Sequence, residues 1–124
     1  MQAIPSGSAR SVVGQTDIPA LGALIRRAAL LVGNDSGPMH IADATGTPMV
    51  ILFSGTDLIS QWRPRSAPAI LLNRPTVCTP CYRFECPFAL ECLDVSPDEV
   101  ADAGLRLLGS ASPASPHSLQ EALV

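Results

Sequence analysis

No run of apolar residues in this 124-residue chain reaches the ~18–20 that a membrane-spanning helix needs. Aromatic residues are only 4% of it and the formal net charge is −3. There is no basic patch interleaved with aromatics, so nucleic acid is not an indicated partner. No apolar stretch follows Arg10 in the manner of a secretory leader, and the expected location is therefore the cytoplasm, where thiols stay mostly reduced. Neither the Walker spacing nor the G-x-G-x-x-G fingerprint occurs, which excludes those two phosphate-binding loops. No internal repeat is seen. What is present is an ordinary globular composition, 47% hydrophobic, in a length suited to one domain with a modest core.

The centre of the chain is LLVGNDSGPMHIADATGTPMVILF, residues 30–53. Leu30, Leu31 and Val32 form the short apolar run of a buried parallel strand. Gly33, Asn34, Asp35, Ser36 and Gly37 are turn or cap residues, and Pro38 suits the first turn of a helix. Met39, Ile41, Ala42 and Ala44 give that helix an apolar face; Gly46 and Pro48 punctuate; residues 49–53 are a second β-prone run. The stretch reads as a βαβ unit. A helix start presents unpaired N–H groups and a partial positive charge to anions, here at the carboxyl end of a strand, where open α/β sheets bind ligands. Asp35 or Ser36 can cap the helix, Gly37 lets a ligand approach the backbone, and His40 faces the same place from the first turn. The plainer alternative is a simple helix cap with His40 as a surface residue.

Around this unit the remaining elements follow from local signals. Residues 11–14 are a vestigial strand or the loop before a helix over 17–29, which has Thr16 or Asp17 as cap, Pro19 in its first turn, Leu21, Leu24, Ile25 and Ala28 at helical spacing, and a solvated Arg26–Arg27 pair near its end. Ser54, Gly55, Thr56 and Asp57 leave a strand end on the side of Asp35. Trp62 is either a cover over the crevice there or a rim anchor. Residues 69–72 read as a third strand, so the sheet is open and parallel with right-handed crossovers. Ser96, Pro97 and Glu99 start a last helix with a capping box; Val100, Ala103 and Leu107, with Leu108 as a further candidate, face inward and Gly109 ends it. Residues 1–10 are expected to be disordered or truncated, and 110–124 a Ser/Pro-rich tail in which His117 has no partner.

Cys78, Cys81, Cys86 and Cys92 crowd a proline-rich loop over residues 75–94. Four thiolates can hold a tetrahedral structural zinc, although the spacing is not that of paired C-x2-C knuckles. Reduced or disulfide-capable thiols and an iron–sulfur cluster are the other readings.

The run NDSGPMHIADATGTPMVILFSGTD resembles the nucleotide-sugar signature of the heptosyltransferase family of glycosyltransferases, and the resemblance extends over about residues 11–108, through QWRP (61–64), the cysteine segment and SPDEV. It implies an α/β, Rossmann-like fold: part of the C-terminal, donor-binding half of a GT-B type enzyme, occupying residues 11–109. It further implies transfer of a sugar, a heptose, from a nucleotide diphosphate such as ADP-heptose to the lipopolysaccharide core, with no required cofactor, in the cytoplasm or peripheral at the inner face of the inner membrane. Asp35, Ser36, Gly37 and His40 match the family's donor-binding motif, Ser36 replacing a Thr seen in some members. A carboxylate does not face a diphosphate without a positive partner, so Asp35 is expected to cap the helix and meet backbone or sugar hydroxyls. The base that activates the acceptor belongs to the family's N-terminal domain, which is absent here, so no catalytic residue is assigned and the isolated chain is expected to be inactive. A non-catalytic nucleotide-binding module and a small structural zinc-binding protein are the alternatives.

Overall fold

The computed structural model describes residues 8–110. Residues 1–7 and 111–124, including His117 and most of the expected flexible tail, lie outside the described part. Residues 11–14 form a turn, closed by Gln15 N–H donating to the Val12 carbonyl at 3.0 Å, and not a strand.

Three parallel strands, β1 (Leu31–Asn34), β2 (Met49–Leu52) and β3 (Ala69–Leu72), lie in the order β1-β2-β3. Leu31 pairs with Met49, and Met49 with Ala69. The apolar run at 30–32 marks β1, but the strand itself continues through Gly33 and Asn34, because their register partners Ile51 and Leu52 supply the ladder that local propensity withholds. β2 is buried on both faces, as a central parallel strand must be. Met49 and Ile51, with Phe53 just beyond, pack on one side with Ile25, Met39 and Ala42. Val50 points to the other side, against Ala103 and Leu107. Two helices, α1 (Ile18–Arg27) and α2 (Gly37–Thr45), therefore cover one face, and α4 (Pro97–Ser110) covers the other. Each fully buried side chain of this size contributes about 1.5–3 kcal/mol.

Local chemistry sets most helix ends. Asp17 caps α1, its carboxylate accepting from Ala20 N–H at 2.8 Å. Gly46 closes α2 in the left-handed conformation at φ 73°, and Ala44, expected on the apolar face, is exposed. Thr47 is buried next to that turn and donates its hydroxyl to the Ile25 carbonyl at 3.0 Å, tying α1 to the start of β2. The capping box of α4 is formed: Glu99 N–H meets Ser96 Oγ at 3.2 Å, and Ser96 N–H meets Glu99 Oε2 at 3.0 Å. This helix runs through Gly109 to Ser110 and does not stop at the glycine, and Leu108, a candidate for its inward face, is exposed. The second crossover holds a single helical turn, α3 (Ile59–Trp62).

Candidate functional site

Parallel strands point their carboxyl ends to one rim, and two loops leave the sheet there beside each other. After β1, Asp35 N–H donates to the Leu52 carbonyl at 3.2 Å, which extends the pairing one residue past the strand. The chain then turns into α2 at Ser36. Neither expected cap forms: Ser36 is the N-cap residue, but its Oγ turns back to the Asn34 carbonyl at 3.3 Å, and no side chain caps the helix. The assignment of Asp35 as the cap is corrected accordingly. Its carboxyl lies half-buried over the rim instead. Burial pushes its pKa above the ordinary aspartate value; positive charge on His40 opposes this, and the Asp57 carboxylate adds to it. Ser36 and Gly37 are exposed, and a Cβ placed on Gly37 would meet nothing within 4 Å, so the approach to the uncapped start of α2 is open.

After β2, Ser54 Oγ and Thr56 Oγ1 bond at 2.8 Å and shape a tight loop around buried Gly55, bringing Asp57 to the Asp35 side. The cysteine segment docks on this loop. Cys81 N–H donates to the Gly55 carbonyl and Tyr82 N–H to the Thr56 carbonyl, both at 2.9 Å. The approach requires glycine at position 55, since a Cβ there would lie 2.6 Å from Thr79 Oγ1 and 3.3 Å from Cys92 Cβ. The Thr79–Pro80 peptide is cis. Between the strand ends and the docked segment opens a crevice of about 420 Å³, whose walls include Asp35, Asp57, Arg83 and all four cysteines. Two motifs that lie more than forty residues apart in the chain, Asp35 and Cys78 onward, are thus two sides of one cleft.

The cysteines are free thiols. Among the described residues no three His, Cys, Asp or Glu side chains are arranged to hold a metal ion. The four sulfurs therefore line a wall without forming the tetrahedral set that a structural zinc takes.

His40 and Trp62 stand apart from the crevice. His40 is exposed in the first turn of α2, and the Trp62 ring lies 6.1 Å from it, centroid to centroid, with the planes tilted by 59°. Trp62 is not part of the crevice lining, so it covers the imidazole and not the cleft. One side chain that the sequence reading passed over, Asp43, holds this corner. Its Oδ1 accepts from Ser66 N–H at 2.9 Å and from Ala67 N–H at 2.8 Å, and its Oδ2 from Arg65 N–H at 2.9 Å. The only signal available in sequence was an acidic residue in mid-helix, three positions after His40, with nothing local to pair it.

The profile of glycosyltransferase family 9 (heptosyltransferase) matches residues 1–91. The chain belongs to glycosyltransferase family 9. Relatives in this family include lipopolysaccharide heptosyltransferase 3 of Escherichia coli, 50% identical over 56 residues, which are 45% of this chain and 16% of that protein. Lipooligosaccharide heptosyltransferase 2 of Campylobacter jejuni is 29% identical over 103 residues, 80% of this chain and 32% of that protein. The crystal structure of the family 9 glycosyl transferase from Veillonella parvula superimposes with a TM-score of 0.63 at 29% identity, covering 79% of this chain and 28% of that one. The family 9 chain described here thus spans between about a sixth and a third of these relatives' length.

Proposed function

We propose that residues 11–109 are the donor-binding part of a heptosyltransferase, holding a nucleotide-diphosphate sugar, ADP-heptose, for transfer to the lipopolysaccharide core. The observation that carries this reading is the uncapped, open start of α2 at the rim of a parallel sheet, with Ser36, Gly37 and His40 around it in a family 9 chain. The diphosphate gains charge as the glycosidic bond breaks. Helix N–H groups fixed in place stabilise that charge without having to reorganise. Asp35, half-buried beside the crevice, accepts hydrogen bonds from sugar hydroxyls and stays clear of the phosphates, in keeping with a carboxyl that burial makes harder to ionise. On the same reading, the group that deprotonates the acceptor and the acceptor surface itself are assigned outside residues 11–109.

Among the described residues no helix is long and apolar enough to cross a membrane. A place in the cytoplasm, at the inner face of the inner membrane where the acceptor lipid is made, suits the proposed reaction.

Calorimetry with ADP and with ADP-heptose tests the donor site on the folded chain. Measurable heat with both, stronger for the sugar nucleotide, is the expected outcome. His40→Ala should weaken binding by about 1.5–3 kcal/mol, the range for a hydrogen bond to a charged group. Absence of binding at millimolar ADP by a folded chain overturns the reading. Adding the remaining portion of a family 9 enzyme and assaying transfer tests the reaction itself.

A further inference from the structure

Asp43 sits one helical turn after His40 on α2, so both side chains leave the same side of that helix. Its carboxylate takes three consecutive backbone N–H groups, those of Arg65, Ser66 and Ala67. Such charge-assisted bonds are the stronger kind, and three of them fix one segment on one carboxylate. Burial alone would raise the Asp43 pKa; the Ala67, Arg65 and Ser66 N–H groups outweigh it and hold the carboxyl below its ordinary value, with charge on His40 adding to the effect. The anchored segment joins Trp62 through Arg63 and buried Pro64, and Arg63 N–H closes α3 on the Ile59 carbonyl at 2.9 Å. Arg65 folds its guanidinium back under the same turn, Nη2 meeting the Ser60 carbonyl at 3.0 Å. Trp62 is held from both directions, yet it is 47% exposed, with its ring against His40.

We propose that Asp43 is a positioning residue: by clamping residues 65–67 it seats Trp62 against His40 and so fixes the imidazole at the start of α2. This rests on the reading that His40 faces the donor. Asp43 on its own helix and Asp35 at the end of β1 both feel charge on the imidazole. Without the clamp the segment after α3 keeps buried Pro64 and the packing of Ala67 on the core, but residues 65–67 lose their three bonds to α2, and the Trp62 ring is held less firmly against His40. The consequence is an entropic loss at the donor site.

Trp62 is the chain's single tryptophan, so its fluorescence reports this contact directly. A protonated imidazole against an indole quenches it. In the full chain, emission should drop as pH falls between about 8 and 5, where imidazoles take up a proton. The drop should be absent in His40→Ala. It should lose most of its amplitude in Asp43→Ala and Asp43→Asn, both with native far-UV circular dichroism. ADP binding should weaken about tenfold in each Asp43 variant. An Asp43→Asn protein with an unchanged fluorescence step and unchanged ADP affinity overturns the proposal. Should the Asp43 variants fail to fold, amide exchange in the unmodified chain decides: slow exchange at Arg65, Ser66 and Ala67 supports the clamp, and exchange as fast as in exposed loops overturns it. Failure of the unmodified chain to bind ADP strikes the donor reading instead, and a fluorescence step that still depends on Asp43 then separates the two.

Discussion

The central sheet and the cysteine segment are two parts of one small molecule held by opposite means. The sheet with α1, α2 and α4 is held by burial: Met49, Val50, Ile51 and Phe53 are almost wholly shielded from solvent. Between β3 and α4, Val77 and Phe84 are fully exposed and Tyr82 and Phe88 largely so. That segment is held by a few polar ties: the two backbone bonds to Gly55 and Thr56, the Thr76–Thr79 hydroxyl pair at 2.9 Å, and Arg74 bonded to both oxygens of Glu99 across its base. Loss of one apolar contact in the first region costs volume that nothing refills. Loss of one tie in the second frees a loop and leaves the sheet standing.

Phe53→Ala should have the largest effect. Removing a fully buried ring is worth about 3–5 kcal/mol, a large share of the ~5–15 kcal/mol by which domains are stable. Denaturant unfolding should show a collapse of the whole transition. A small change there would mean that the core does not carry the fold. Gly55→Ala sharpens the contrast from the other side. The added methyl must displace Thr79 and Cys92, at about 1–3 kcal/mol for overpacking. Thiol-reagent kinetics should show faster modification of half-buried Cys78, Cys81 and Cys92 while circular dichroism keeps the sheet signal. Equal loss of both signals would make the two regions one cooperative unit.

Thr47→Val tests a polar tie inside the packed region. The hydroxyl bonded to the Ile25 carbonyl and to Thr45 Oγ1 is replaced by a methyl of similar size, at a cost of about 1 kcal/mol in a thermal melt. Glu99→Gln should have the smallest effect, and its sign follows from titration. The hydrogen bond from Arg74, then those from Ser96, hold the Glu99 carboxyl at about 2, below its ordinary value. A carboxyl depressed in the folded state stabilises above its unfolded pKa and loses that contribution as pH falls through the folded one. The melting difference between the parent chain and Glu99→Gln should therefore be constant at neutral pH and vanish as pH falls from the usual glutamate range toward 2. Because the pair is only partly buried, added salt should shrink it as well.

The same division decides what could be read before folding. β3 is found where the apolar run 69–72 puts it, and the Asp17 cap and the Ser96–Glu99 box follow from residues within four positions of each other. The fold class follows from the strand–helix–strand rhythm. What local pattern could not show are bonds between distant residues. Asp43 reaches residues 22 to 24 positions ahead, and Thr47 reaches 22 positions back. Asp35 and Ser36 had the chemistry of caps, but the Ser36 hydroxyl bonds to the Asn34 carbonyl and Asp35 lines the crevice. The meeting of the cysteines with Asp35 in one cleft depends on the glycine at position 55, whose role appears only when Thr79 and Cys92 are seen against it.

With β2 in the middle, β1 has a row of N–H and C=O groups turned away from it, and no strand among the described residues pairs with that row. Val32 on this strand is 52% exposed. Such a border is a template: a further strand laid alongside at the usual ~4.8 Å spacing would continue the ladder. In a concentrated preparation of this chain, the same border is where two copies would zip together, and a charged residue at position 32 is the simplest guard against it.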